Sequence, residues 1–137
     1  MQTGQTGQLP SAAAKRAPTV TAQSRVFKLS ETPATTMPSG GEGWNFGGGM
    51  LTTGEWVRLH ESLQPAGAPH RPEHKIDHTE LVCILAGEVE YWHDGVTDRA
   101  APGDIVLVAR GTNHYVRNAG AVPARYFVLA IGGDTHA

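Results

Sequence analysis

Three imidazoles and, at the end of the run, the carboxylate of Glu80 fall within eleven residues of this chain, where the sequence from His70 to Glu80 reads HRPEHKIDHTE. On an extended strand His74, Ile76, His78 and Glu80 share a parity, so their side chains converge if that face lines an interior. Neutral imidazole and carboxylate together suit one divalent transition metal per chain, Mn, Fe, Ni, Cu or Zn. A lone histidine in a solvated loop would carry no such meaning. The metal reading gains weight because a second segment, around His114, supplies another imidazole.

The elements that must hold these groups read as short strands. The chain of 137 residues has the size of one domain, and its 17 Gly and 9 Pro mark many turns. Residues 1–22, rich in small and polar types, read as a flexible tail, leaving residues 23–137 as a single domain. The first strand is expected from Ser24 to Leu29, and the stretch from Ser30 to Met50 reads as turn-rich. Its aromatics Trp44 and Phe46, beside three glycines, are expected to pack on the wall of the fold. Alternation from Glu55 to Leu63 gives the next strand, with Val57, Leu59 and Leu63 on one face and Trp56, Arg58, His60 and Ser62 on the other.

Glu80 to Leu85 is an apolar run suited to a buried strand, and Val89, Tyr91 and His93 alternate up to Asp94-Gly95, a two-residue hairpin signal. Val96 to Arg99 returns from it. Ile105 to Val108, His114 to Asn118 and Tyr126 to Ile131 complete the set. No stretch holds a helical period for more than a turn or two, so the fold class is all-β, a sandwich or barrel.

Charge and composition exclude other functions. A formal net charge of −2 without a basic stripe gives no support to a nucleic-acid surface. No run of eighteen apolar residues is present, so no membrane-spanning helix is expected. The N-terminus lacks the apolar core of a signal peptide, which leaves a cytoplasmic protein or an exported form with its leader removed. Cys83, the single cysteine, has no internal partner and reads as a buried core thiol.

The spacing of certain residues resembles the cupins. Their first motif places a glycine before a His-x-His pair, a glutamate three or four residues on, and a glycine after six more. Gly67, His74, Glu80 and Gly87 approach it. Their second motif, Gly-x5-Pro-x-Gly-x2-His-x3-Asn, is matched by Gly103, Gly111, His114 and Asn118, with Ala109 in the place of the proline. The resemblance covers roughly residues 50–132.

It implies a cupin-type antiparallel β-barrel, a jelly roll, in which Glu80 and His114 bind metal with histidines of the first motif. Ile76 interrupts the His-x-His pair. His78, with the strand parity of Glu80, or His70, if Pro72 bulges the chain, would replace the missing ligand, and parity favours His78. The expected metal set is therefore His74, His78, Glu80 and His114.

His60 and Arg58, if their face is the inner one, are the candidates for acid–base work and for holding an anionic substrate. Asn113 and Asn118 read as structural, and Tyr115 and Arg117 as turned away from His114. The resemblance implies a metal-dependent enzyme, oxygenase-like, acting on a small organic substrate, or else a non-catalytic module that binds a small ligand. The apolar run from Tyr126 to Ile131 is expected to pair with a second chain, giving a homodimer.

Overall fold

A computed structural model of the chain describes residues 23–136 apart from residues 39 and 71. The tail expected over residues 1–22 lies outside the described residues. Among the described residues nine strands form, β1 (Ala34–Thr36), β2 (Glu42–Met50), β3 (Trp56–Gln64), β4 (Thr79–Ala86), β5 (Val89–His93), β6 (Val96–Ala100), β7 (Ile105–Val108), β8 (His114–Asn118) and β9 (Ala124–Ile131). They make a six-stranded sheet in the order β1-β2-β3-β9-β4-β7 and a three-stranded sheet in the order β6-β5-β8. Every strand pairing is antiparallel. The architecture is the expected all-β jelly roll, but as two sheets rather than one closed barrel.

Period-two alternation decides which residues face inward. Directly paired residues of antiparallel strands point to the same face. In the large sheet one row runs Val106, Val82, Val128, His60, and the next runs Val108, Glu80, Ala130, Arg58. The valines are buried and join Ile84, Val89, Tyr91, Ala100 and Tyr126 in one core between the sheets. His60 and Glu80 therefore extend rows of core residues, which settles the inner face of β3. The hairpin between β5 and β6 turns on Asp94 and Gly95, both at positive φ (49° and 84°), as the Asp-Gly pair requires.

Three expectations about the strands fail. Residues 24–28 form no strand, and Leu29–Glu31 is a single 3-10 turn. Phe27 instead lies beside Phe46, ring centroids 6.1 Å apart, and Phe46 lies 6.5 Å from Phe127. The stretch read as turns contains β2, paired along its length with β3 and interrupted by one bulge between Asn45 and Gly47. Glycine here serves close approach rather than turning. A Cβ on Gly48 would lie 2.4 Å from the Val57 carbonyl oxygen. Gly48→Ala is expected to lower stability by about 1–3 kcal/mol, the usual range for overpacking, readable as a lower midpoint in chemical denaturation.

The third failure concerns β9. Its residues Tyr126–Ile131 were expected at an open edge, yet β9 lies between β3 and β4, with both edges occupied. Apolar exposure appears elsewhere: Ile105 and Leu107, on the outer face of β7, are 64% and 60% exposed. Cys83 is free and half-buried, paired with Phe127 and Ile105 on that outer face rather than set in the core.

Candidate metal centre

The histidine segment is not one strand. Regular pairing of β4 begins at Thr79, and upstream, among the described residues of this segment, His74 is the one bridged to a strand, through an isolated bridge to His114. Reciprocal backbone bonds, His74 N to His114 O at 3.1 Å and His114 N to His74 O at 3.0 Å, fix the pair. Their rings stand 4.6 Å apart. Strand parity therefore does not gather the four expected donors. They form two pairs, His74 with His114 and His78 with Glu80, whose Nε2 and Oε2 atoms are 2.8 Å apart. Among the described residues, no three His, Cys, Asp or Glu side chains stand together as a formed metal-binding group.

The break at Ile76 has a packing explanation. Ile76 is half-buried against the hydrophobic core, so the position that interrupts the His-x-His pair contributes to the interior instead. Its carbonyl accepts a hydrogen bond from Gly111 N–H at 3.0 Å, joining this segment to the turn before β8. His70, the other candidate replacement, is exposed and stacks on Tyr115 with ring centroids 3.9 Å apart, in a column continued by Trp92.

A cavity of about 340 Å³ opens between the sheets, and His60, Gln64, His74, Glu80, His114 and Tyr126 are among its lining residues. His114 is only 3% exposed. Tyr126 accepts a hydrogen bond from Gln64 Nε2 at 2.9 Å, which sets two polar groups on one wall. Trp44 of β2 borders this cavity, although its register partner Glu61 belongs to the outer row with Phe127, and Phe46 packs on that outer face. Arg58 shares the parity of His60 but is exposed, and its guanidinium donates to the Asp134 carbonyl at 3.4 Å. It does not line the cavity. Tyr115, expected to turn away, borders the cavity while stacking on Trp92, and Arg117 pairs with Glu90 on β5.

The hydrogen bonds fix how the imidazoles present themselves. His74 Nδ1 meets the Pro72 carbonyl at 3.1 Å and His114 Nδ1 meets the Thr112 carbonyl at 3.0 Å. A carbonyl only accepts, so each Nδ1 carries a proton, which in the neutral form of the ring puts the lone pair on Nε2. His78 Nδ1 meets the Asp134 carboxylate at 2.8 Å. That hydrogen bond is the main reason the Asp134 carboxyl is held below its ordinary range, and as an ionised acceptor it likewise keeps the proton on Nδ1. The hydrogen bond from His78 Nε2 to Glu80 needs a further proton, on the ring or on the carboxyl. All three rings thus have Nδ1 engaged and Nε2 turned to other work, the arrangement that outer hydrogen bonds impose on metal-binding histidines. The chemistry of the donors fits a divalent ion.

Tyr91 is buried beside this group, its ring 4.5 Å from that of His93 and 6.0 Å from that of His114. Burial, then the charges of Asp94, Glu80 and Asp98, raise its pKa above the ordinary phenol value, so it stays neutral.

The cupin domain family model matches residues 59–131, from the third strand to the end of the ninth. The chain belongs to the cupin family. Solved cupin-like folds agree. An RmlC-like cupin from Shewanella frigidimarina is 18% identical with a TM-score of 0.66, covering 82% of this chain and 95% of its own. KdgF from Halomonas sp. is 15% identical with a TM-score of 0.67, covering 84% and 100%. A protein from Thermotoga maritima described as a predicted oxalate decarboxylase is 18% identical with a TM-score of 0.59, covering 78% and 98%. At these identities the likeness establishes the fold alone. No curated protein matches the chain.

Two residues of this cupin escaped the sequence reading. Gln64 lies one residue beyond the strand expected over Glu55–Leu63, yet it ends β3 and its parity with His60 places it on the same inner face. Asp134 lies 56 positions from His78, and no local spacing connects them.

Proposed function

We propose that this cupin is a metal-dependent protein that binds a small organic molecule in the cavity and acts on it, with His74, His78, Glu80 and His114 as the metal donors. The observation that carries the reading is the common state of the three imidazoles. Each has its Nδ1 proton engaged by an oxygen acceptor, which turns Nε2 of His74 and His114 to coordination, while Nε2 of His78 stands 2.8 Å from the Glu80 carboxylate in a hydrogen bond that a bound metal would replace. When bound, the metal supplies Lewis acidity and an open position for water, substrate or dioxygen.

The chain's own residues supply the rest. Gln64 and Tyr126 offer polar groups that orient a ligand, and His60 is the group that takes or returns a proton. Arg58 lies outside the cavity and is left without a substrate role. An oxygenase-like reaction agrees with open coordination positions, and dioxygen uptake by the iron-loaded protein, screened over small organic acids and alcohols, tests it. Uptake that disappears in His60→Ala with metal retained is the expected result. Saturable ligand binding with no turnover would assign the cavity to a non-catalytic binding module instead.

A homodimer is retained in the proposal, by a different surface from β9. Ile105 and Leu107 continue outward from Leu81, Leu129 and Cys83 across one face of the large sheet, an apolar surface that a second copy would cover. Light scattering at micromolar concentration should give the mass of two chains, reduced to one by Leu107→Lys. A monomer at every concentration would remove the idea.

A further inference from the structure

We infer that Asp134, carried on the turn after β9, is a positioning residue that fixes His78 for the metal centre; the inference rests on the metal reading above. His74 and His114 each find their Nδ1 acceptor two residues upstream, at the carbonyls of Pro72 and Thr112. The equivalent for His78 is the Ile76 carbonyl, which is engaged by Gly111 N–H. Asp134 takes its place from the far end of the chain, at 2.8 Å.

The turn is built to deliver that carboxylate. Gly132 N–H donates to the Trp56 carbonyl at 2.7 Å, and Asp134 N–H donates to the Asp77 carbonyl at 2.9 Å, one residue before the histidine. Buried Thr135 closes the turn through its hydroxyl, which donates to the Gly132 carbonyl at 2.8 Å. Arg58 donates to the Asp134 carbonyl from β3. Gly133 presses so close that a Cβ would fall 1.5 Å from the Asp77 carbonyl oxygen. These contacts hold the backbone of the turn against residues 77 and 78, and the Asp134 carboxylate, 46% exposed, meets His78 from there. The ring then has a set tautomer, and Nε2 is directed at Glu80.

The test uses the full chain with Zn(II) or Co(II) as the probe, in competition with a chromophoric chelator. Asp134→Ala is expected to weaken affinity for either ion by about 10–100-fold, the range for losing the outer partner of a metal-bound histidine. Asp134→Asn, which keeps an acceptor oxygen of the same shape, should recover most of that loss and covers the case in which the alanine variant fails to fold. Nitrogen-15 spectra of the metal-free histidine rings should show the Nδ1–H form of His78 in the parent and its loss in Asp134→Ala. Parent-like affinity and an unchanged His78 tautomer in Asp134→Ala, with the parent binding metal, would overturn this inference alone. A parent that takes up neither ion would overturn the metal reading and this inference with it.

Discussion

Replacing His114 by alanine is expected to lower metal affinity by at least about 100-fold, more than losing an outer-shell partner costs. His114 is the hinge between the two candidate donor segments. Its backbone holds His74 by two hydrogen bonds, its ring lies 4.6 Å from the His74 ring, and its Nδ1 is anchored on Thr112. The alanine variant keeps the backbone bridge, so the sheet should survive while the donor disappears. Calorimetric titration of parent and variant with Zn(II) measures the difference. An unchanged affinity would remove His114 from the site. The buried ring also fills space beside Tyr91, so a modest fall in melting temperature should accompany the loss.

The second large effect concerns stability. Asn118, 3% exposed, donates through Nδ2 to the Gln64 carbonyl at 3.1 Å and to the Val122 carbonyl at 2.9 Å, while its Oδ1 accepts from Gly120 N–H at 2.9 Å. One amide thus ties β8 to the end of β3 and closes the loop into β9. Asn118→Leu leaves three backbone groups without their partner, and at roughly 1 kcal/mol or more for each it should cost about 3 kcal/mol. Asn118→Asp should be worse at neutral pH, because a carboxylate facing two carbonyl oxygens has no proton to give. Thermal melting of the two variants checks both the size and the order. A leucine variant as stable as the parent would contradict the structural role of this motif asparagine.

What the sequence disclosed follows from how local each signal is. The Asp94-Gly95 hairpin, the alternation of β3 and the apolar run of β4 are short-range patterns, and each element formed where it was expected. The spacing from Gly103 to Asn118 carried the family resemblance, and the structure supplies the physical role of its last residue. Parity failed between His74 and Glu80 because it presumes continuous strand, whereas the chain between them turns its backbone bonds toward Gly111 and Asp134. The glycines of β2 were misread because the same residue serves turns and close strand approach, and only the partner strand distinguishes the two. Val26 and Phe27 have β propensity but no strand among the described residues pairs with them, and propensity without pairing makes no strand. Asp134 was illegible for the plainest reason, since its partner comes from another part of the chain.

The central claim is that one divalent metal is held by donors from two segments of the chain. Elemental mass spectrometry of protein purified without a histidine tag or chelator, beside Glu80→Ala and His114→Ala, tests it most directly. The account predicts near one equivalent of a transition metal in the parent and its loss in both variants. A parent that is metal-free and also fails to take up added Mn, Fe, Ni, Cu or Zn would contradict it.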